Sequence, residues 1–289
     1  MSEPAQPVDD VAQARARPRW LHVAANAVLL LVALQILLFL LTNPRFEWTV
    51  VAEYLTAATV LKGLGVSIVL TAIGMALGTV LGTLLALLKL GTWRTGRWFA
   101  GFYTWLFRGT PVLIQLLFWY NLAYLLPFIS IGIPFGQAWV SWDTNELITP
   151  FIAAVLGLAL NEAAYMAEIM RAGILSVDVG QRDAARALGF TPRLSFWRIV
   201  FPQAMRIVLP PAGSQVIGML KGTSLVSVIA MTDLLFSVQT IYNRNFKVVP
   251  LLIVAVLWYL AVFSLLSLVQ RRMEQHYSRG HGGADKATR

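Results

Sequence analysis

Residues 64–88 read LGVSIVLTAIGMALGTVLGTLLALL, a run of 25 residues without one ionisable side chain. A helix needs about 20 apolar residues to cross roughly 30 Å of bilayer hydrocarbon, so this stretch predicts a transmembrane helix. Gly74, Gly78 and Gly82 recur every four residues on one face of that helix. Such a face lets another helix approach closely, and the neighbour is either a helix of the same chain or one of a second copy.

The rest of the chain repeats this pattern. Of its 289 residues, 57% are hydrophobic and 13% charged, whereas soluble domains carry about 25% charged residues. We predict an all-α integral membrane protein with six transmembrane helices at 23–41, 64–88, 98–126, 149–170, 211–235 and 249–270. The third should bend or unwind at 108–111, because Pro111 lacks a backbone donor and clashes with the preceding turn. With no cysteine in the chain, disulfides and thiolate metal sites are excluded.

The basic residues indicate the orientation of these helices. Cytoplasmic loops of membrane proteins carry an excess of Lys and Arg. With both termini inside, 17 of the 23 basic residues fall in cytoplasmic segments, four lie outside, and Arg108 and Lys221 lie within spans. The net charge of +9 therefore reflects topology, and a nucleic-acid partner is not expected.

The spans divide the chain into segments of different character. Residues 1–19 read as a disordered cytoplasmic tail, and 20–62 as a first transmembrane helix followed by an outer interfacial segment. Within that segment, 46–60 is either an amphipathic helix lying on the membrane or a plain loop. Residues 63–272 form the main transmembrane domain, with a cytoplasmic loop at about 171–210, and 273–289 form a second cytoplasmic tail.

The loop at 171–210 is predicted to contain two helices. The stretch at 181–188 consists mostly of helix formers, and Gly189 suits a left-handed C-terminal cap. Thr191 and Pro192 then provide an N-cap and a first helical residue for the second helix. A helix-turn-helix of this kind could bind DNA, but its exposed face is short and both ends are held at the bilayer, so a docking surface for a soluble protein is the better interpretation.

Several motifs in this order resemble one family. They are DAARALG at 183–189, PQA at 202–204, LPP at 209–211, FRGTP at 107–111, NEAAYMAEI at 161–169 and LKGTSL at 220–225. Over residues 55–275 the chain resembles the permease subunits of bacterial ATP-binding cassette importers, and more narrowly the polar amino acid permeases for histidine, arginine, glutamine and glutamate. Three departures are Asp183 in place of the usual glutamate, Gly222 where aspartate is common, and the first span, which is additional to a five-helix core.

The resemblance implies a type I importer permease fold and a function. The chain would translocate a polar amino acid, or a close derivative, by alternating access across the bacterial inner membrane. The loop would be an EAA-type coupling loop that docks on the ATPase through Asp183, Ala184, Ala185, Arg186 and Gly189. Without the family, a solvated surface pair is the better interpretation of Asp183 and Arg186.

The same resemblance implies partners. They are two ATPase subunits, a second permease copy or a paralogue, and an extracytoplasmic amino acid binding protein that meets the outer loops near 127–148 and 237–247. The sequence has no G-x-x-x-x-G-K-[ST] phosphate-binding loop, so ATP and Mg²⁺ belong to the partner ATPase. No cofactor or metal is expected on this chain, and no catalytic residue.

Ionisable residues deep in a bilayer are costly and point to function. At about 1.5 Å per residue, Arg108 and Lys221 lie about 15 Å from the cytoplasmic edge, and Glu162 about 12 Å. A zwitterionic amino acid needs a cation and an acceptor, so these three residues could line a substrate pathway. The possible neighbours are Gln115, Tyr165 and Thr223.

A structural interpretation of these charges is also open. Arg108 or Lys221 could pair with Glu162 and hold the helices together without touching substrate. Glu168 lies nearer the inner face, where it could brace the coupling loop or be solvated.

Two other classes of protein remain to be weighed. A membrane anchor or receptor would not require charges at matched depth in three helices. A membrane-embedded hydrolase would need a nucleophile with a base, and the sequence offers only a Ser-Lys pair of Ser224 and Lys221. The three histidines fall at or beyond the ends of spans, which makes metal-dependent hydrolysis implausible.

Overall fold

The computed structural model describes residues 19–133 and 137–278, which are mostly helical. The α-helices in chain order are α1 (Arg19–Thr42), α2 (Trp48–Leu55), α3 (Ala58–Leu90), α4 (Arg94–Gly109), α5 (Val112–Tyr120), α6 (Leu122–Leu125), α7 (Thr144–Leu147), α8 (Pro150–Leu175), α9 (Val179–Ala187), α10 (Pro192–Ser195), α11 (Phe201–Gly222), α12 (Leu234–Asn245) and α13 (Val248–Ser278). Short 3₁₀ turns occupy Pro44–Phe46 and Thr223–Ile229, and a π-helical turn, Phe196–Val200, joins α10 to α11.

One element contradicts the prediction of an all-helical chain. Strands β1 (Phe128–Gly132) and β2 (Ala138–Asp143) form an antiparallel hairpin between α6 and α7. This stretch alternates Ile129 and Ile131 with small residues, a period of two that favours a strand. The pattern lies in a segment without Lys or Arg, which the charge count alone assigned to a plain outer loop.

Helices long and apolar enough to cross a membrane number four in the described part of the chain. They are Trp20–Thr42, Ala58–Leu90, Pro150–Leu175 and Val248–Gln275. A fifth span results if Pro192–Ile229 and Leu234–Asn245, which are bent by 46° at the break between them, are counted together. The predicted third span is absent from this count, because α4 and α5 are separate helices of 16 and 9 residues.

The structure divides into two compact units, one ending at Trp48 and the other beginning at Thr49. In the first unit, the apolar side chains of α1 are exposed around its whole circumference, as expected for a helix surrounded by lipid. Beyond α1 the chain turns back, with the indole of Trp48 donating to the carbonyl of Leu40 at 2.9 Å and stacking on Phe46.

The second unit is built around the contact between α3 and α8. A Cβ on Gly78 would lie 2.7 Å from Cβ of Glu162, and one on Gly82 would lie 2.6 Å from Cβ of Met166. The glycine face of α3 is therefore used within the chain, where the missing side chains let the backbone of α8 approach closely.

The segment after the first span is helical. Val51 of α2 is buried in a cluster with Val60, Leu234 and Leu251, and the indole of Trp258 donates to the carbonyl of Leu55 at 2.8 Å. Of the two interpretations of 46–60, the helix is the one observed. It packs against α12 and α13 through one apolar face.

The two predicted tails fall largely outside the described residues, which exclude 1–18 and 279–289. At the C-terminal end, α13 continues to Ser278. The residues 273–278, predicted as the start of a tail, are thus helical.

Candidate functional site

The helix break after α4 is the first feature of the site. The prediction of a bend at 108–111 is confirmed, since Thr110 and Pro111 have extended backbone between α4 and α5. The last carbonyls of α4 lose their helical donors there. The amide of Gln115 replaces them, donating to the carbonyls of Phe107 at 2.9 Å and Thr110 at 3.1 Å. Gln115 is buried and holds the break in one conformation.

Asn161 connects this break to α8. Its amide donates to the carbonyl of Phe107 at 2.9 Å and to Oε1 of Gln115 at 3.3 Å. The break in the chain at Thr110 is therefore bonded to the part of α8 that carries the acidic residues.

Arg108 lies in the last turn of α4 and points along α8. Its guanidinium carbon is 5.4 Å from the centroid of the Tyr165 ring, a cation–π distance. One guanidinium nitrogen lies 4.0 Å from Oε1 of Glu168, and 45% of the Arg108 side chain is exposed. Arg108 is therefore held in position and still has surface available to a ligand.

Glu168 is the centre of an ionic cluster. Its carboxylate pairs with Lys89 at the end of α3, and Nε of Arg171 donates to it at 3.0 Å. The ammonium of Lys89 also donates to the hydroxyl of Thr104 on α4 at 2.6 Å. Its partners belong to α3, α4 and α8. One of them, Arg171, is also the first residue of the predicted loop at 171–210, and a role of Glu168 in bracing that loop stays a prediction.

Glu162 has a different environment, although it lies on the same helix. It is buried against Gly78 of α3, and its Oε1 atom has no hydrogen-bond partner. Among the described residues no cation lies within 4.0 Å of its carboxylate, so the predicted structural pair with Arg108 or Lys221 does not form. Tyr165, which contacts Arg108, lies one helical turn along α8, a rise of about 5 Å.

Lys221 and Thr223 follow each other closely at the end of α11 but have different surroundings. Lys221 is exposed, and no ion pair within the described residues includes it. Thr223 is fully buried, and its hydroxyl donates to the carbonyl of Leu220 at 2.7 Å. The hydroxyl hydrogen of Thr223 is therefore already used in a bond to the backbone three residues earlier.

Two polar residues of this region were not among the predicted site residues. Lys89 was interpreted only as a charge that marks topology, since it follows an apolar run. Asp233 is buried at the break before α12, where its carboxylate accepts from the backbone N–H of Phe236 at 2.8 Å. Ser67 adds a bond there, accepting from the N–H of Leu234 at 3.1 Å. The signal for Asp233 was a lone acid between two apolar segments, a common N-cap pattern.

An apolar cavity lies between α3, α8, α11 and α13. Its volume is about 550 Å³, and Thr79 and Gln270 are the polar side chains among the residues that line it. None of its lining residues is charged. Because a zwitterion needs charged or strongly polar partners, the region of α4 and α8 that carries Arg108 and Glu162 is the better candidate site.

The loop at 171–210 contains the predicted helix and caps. Helix α9 covers the DAARA stretch, and Gly189 has φ +78° directly beyond it. Thr191 then accepts from the N–H of Leu194 at 3.3 Å as the N-cap of the following helix, with Pro192 in its first turn. The local signals of the sequence thus determine where α9 ends and where α10 begins.

The five residues predicted to dock differ in how they are presented. Asp183 and Arg186 form an exposed pair, with 3.5 Å between Oδ1 and Nη1, and Ala184 and Gly189 are also exposed. Ala185 is buried, so it faces its own loop and not a partner.

The exposed face of α9 is partly apolar, and the helix is tethered to the bundle. Val179 and Leu188, at its two ends, are 66% and 75% exposed. Arg182 donates through Nη2 to the carbonyl of Ile174 at 2.6 Å, which fixes α9 to the end of α8.

Comparison with known proteins gives a consistent result. The sequence profile of the family described as binding-protein-dependent transport system inner membrane component matches residues 78–279. The chain is 38% identical to an arginine transport system permease protein of Corynebacterium glutamicum, over 91% of this chain and 81% of that protein. It is 34% identical to an L-cystine transport system permease protein of Bacillus subtilis, over 75% of this chain and 86% of that protein.

Solved structures agree with these sequence matches. The crystal structure of an amino acid ABC transporter with histidines superposes with a TM-score of 0.64 at 33% identity, covering 75% of this chain and 94% of that one. An inward-facing MetNI methionine ABC transporter gives a TM-score of 0.59 at 17% identity, over 77% of this chain and 97% of that one. The second match supports the fold alone.

Proposed function

Because this chain belongs to the family of binding-protein-dependent transport system inner membrane components, we propose that its cargo is a polar amino acid or a close derivative. The observation that carries the proposal is the 38% identity to an arginine permease over 91% of the chain. The cystine permease leaves the particular amino acid open. An anchor or receptor without a pathway would not account for this similarity to permeases.

Transport is driven by an ATPase on a separate chain, which binds ATP and Mg²⁺. Helix α9 enters a groove of that subunit, with Asp183, Ala184 and Arg186 on the contact surface and Gly189 setting the turn beyond it. Ala185 lies on the opposite face of α9, where it packs against the rest of the loop, because it is buried. Exposed Val179 and Leu188 add apolar area that an isolated cytoplasmic loop would not present.

The complete importer contains more than one permease. Two ATPase subunits each require a coupling loop, so a second copy of this chain or a paralogue completes the membrane part. A binding protein outside the cell delivers the amino acid to the outer face. This chain contributes no catalytic residue, because hydrolysis takes place on the ATPase.

The membrane topology has six crossings with both termini in the cytoplasm of a bacterium. Helices α4 and α5 together make the third crossing, interrupted at Thr110 and Pro111. The broken pair from α10 to α12 makes the fifth. The distribution of Lys and Arg supports this orientation. In this orientation α9 lies on the same side of the membrane as the ATPase.

The substrate pathway runs between α4 and α8. Arg108 offers a half-exposed guanidinium for the carboxylate of the amino acid, and Glu162 offers an unpaired carboxylate oxygen for its ammonium. Tyr165, about one turn along α8 from Glu162, contacts the guanidinium of Arg108. Lys221 supplies a second exposed cation, while Gln115 and Thr223 shape the pathway through their backbone bonds.

The test starts from the chain purified with its co-purifying ATPase and binding protein. Mass spectrometry identifies the ligand released by the binding protein, and the complex is then reconstituted in phospholipid vesicles. We expect ATP-dependent accumulation of that amino acid and stimulation of ATP hydrolysis by the loaded binding protein. An active ATPase without accumulation of any polar amino acid would contradict the proposal.

A further inference from the structure

The hairpin of β1 and β2 has one wholly apolar face and one face that carries its polar residues. Opposed residues of an antiparallel pair lie on the same face. Ile129 is opposite Trp142, and Ile131 is opposite Val140, so one face is entirely apolar.

The other face, called here the polar face, is mixed, because Phe128 on it is 62% exposed. Trp139, which is 71% exposed, lies at the register shift and has no partner in the pairing. Ser130 is opposite Ser141, and their hydroxyls are hydrogen-bonded at 3.0 Å. Phe128 is opposite Asp143, whose carboxylate accepts from the N–H of Asn145 at 2.8 Å at the start of α7.

The apolar face is largely uncovered. Ile131 is 58% exposed, Val140 47% and Trp142 44%. An isolated two-stranded hairpin is marginal in water at best, so a stable hairpin needs a partner for this face. The residues just before it, Tyr124, Leu125 and Leu126, are also exposed, and they continue the apolar surface toward the end of α6.

Position and charge indicate what covers this face. The hairpin lies between α5 and α8, both of which belong to crossings of the bilayer in the topology proposed above, on which this inference rests. Neither strand contains Lys or Arg, and aromatic residues such as Trp142 are enriched where membrane meets water. Helix α8 is long and apolar enough to cross a membrane, so the lipid around it can extend under the hairpin.

The backbone limits how deep the hairpin can lie. A two-stranded sheet has two edges with unpaired N–H and C=O groups, and each such group costs several kcal/mol in hydrocarbon. The hairpin must therefore stay at the level of the headgroups. Amphipathic elements at that level bury their apolar face by about 5–10 Å.

We infer that the apolar face of the hairpin, formed by Ile129, Ile131, Val140 and Trp142, lies on the outer surface of the lipid bilayer. Its polar face, with Ser130 and Ser141, is turned toward water. This contact fixes the level of the outer ends of α6 and α8 relative to the membrane. It leaves the polar face, and not the apolar one, for an approaching binding protein.

The absence of cysteine from the chain allows a direct test. Val140→Cys and Ile131→Cys introduce one reactive thiol each on the apolar face, and Ser141→Cys and Ser130→Cys are the matched controls on the polar face. Each variant is labelled with a nitroxide in the full chain with its ATPase, reconstituted in vesicles of phosphatidylethanolamine and phosphatidylglycerol. Collisions of the label with oxygen, which concentrates in lipid, are compared with collisions with a water-soluble nickel chelate.

Labels at Val140→Cys and Ile131→Cys should collide severalfold more with oxygen than with the chelate, and the ratio should reverse at Ser141→Cys and Ser130→Cys. Equal access of the chelate to both faces would overturn the inference. Labels on the apolar face that are shielded from both reagents would also overturn it, because that result indicates a protein contact, with a second copy or a binding protein. Two positions on each face keep the test valid if one variant fails to assemble.

Discussion

Glu162 is the residue whose environment is hardest to explain by stability alone. A carboxylate buried within a membrane helix is costly, and this one has an oxygen without a partner. Removing its charge should therefore not destabilise the fold. A transported ammonium group would provide the missing partner.

We predict that Glu162→Gln leaves assembly intact and impairs transport. A hydrogen bond to a charged group contributes about 1.5–3 kcal/mol, so the apparent affinity for substrate should fall by about 10- to 100-fold, since 1.4 kcal/mol is a factor of ten. The measurement is the concentration dependence of uptake into vesicles, with thermal unfolding of the complex in parallel. Unchanged uptake in a normally assembled complex would remove Glu162 from the pathway.

Glu168 should behave in the opposite way. Glu168→Gln leaves Lys89, Arg108 and Arg171 without their shared counter-charge. We expect a loss of about 1–3 kcal/mol in stability, less than for a fully buried pair because the cluster is partly exposed. Thermal unfolding of the purified complex measures it.

The matched control for Glu168→Gln is Glu146→Gln, the same change at an exposed position of α7. It should leave the unfolding temperature unchanged. Equal effects of the two substitutions would mean that the ionic cluster does not stabilise the packing of α3, α4 and α8.

Sequence reasoning found the charged residues of this region but not their pairing. Counting residues from the end of a span gives depth, and it marked Arg108 and Glu162 correctly as residues within the helices. Depth does not fix the rotation of a helix or the identity of its neighbour. Lys89 and Glu168 meet because α3 packs closely on α8, a contact that depends on the whole bundle.

At the scale of elements, the contact between α3 and α8 is the one most sensitive to added side-chain volume. A Cβ on Gly82 would lie 2.8 Å from the carbonyl oxygen of Ala163 and 2.9 Å from the N atom of Ala167. Backbone atoms cannot rotate away, so we predict that Gly82→Ala destabilises the protein by about 1–3 kcal/mol through overpacking. Thermal unfolding in detergent detects the change.

Helix α3 provides its own control. Gly65 has open space where a Cβ would be, and alanine is the better helix former by about 1 kcal/mol. Gly65→Ala should therefore be neutral or stabilising. Destabilisation of equal size by both substitutions would argue against a close approach at Gly82.

Elements determined by neighbouring residues were predictable, and those determined by distant contacts were not. The cap at Gly189 and the N-cap at Thr191 follow from local backbone preferences, as does the break at Pro111. The hairpin was missed because its alternation is short. The way α5 is held against α4 across the break at Pro111 was not predictable, because it depends on Gln115 and Asn161, whose partners lie across the break or on another helix.

For the whole molecule, the family and the membrane location follow from composition and motif order, which do not require the packing to be known. The position of α9 beyond the end of α8 connects the proposed coupling loop to the helix that carries Glu162 and Glu168. A movement of α9 would therefore be transmitted along α8 to both acidic residues, because Arg182 bonds α9 to the carbonyl of Ile174. Coupling between ATPase and pathway is in this view a rigid displacement of one helix.

The assembly with the ATPase gives the last prediction. Asp183 and Arg186 are 62% and 77% exposed, and an exposed pair stabilises a helix by only a few tenths of a kcal/mol. The double substitution Asp183→Asn with Arg186→Gln should thus leave the permease folded.

If the pair contacts the ATPase, the amount of ATPase recovered with the double variant should fall severalfold, and ATP hydrolysis stimulated by substrate should be lost. Arg193→Gln, an exposed change in the same loop outside α9, should leave both unaffected. Full recovery of ATPase with the double variant would show that α9 does not use this pair for docking. Asp183 and Arg186 would then form a solvated surface pair without a role in docking.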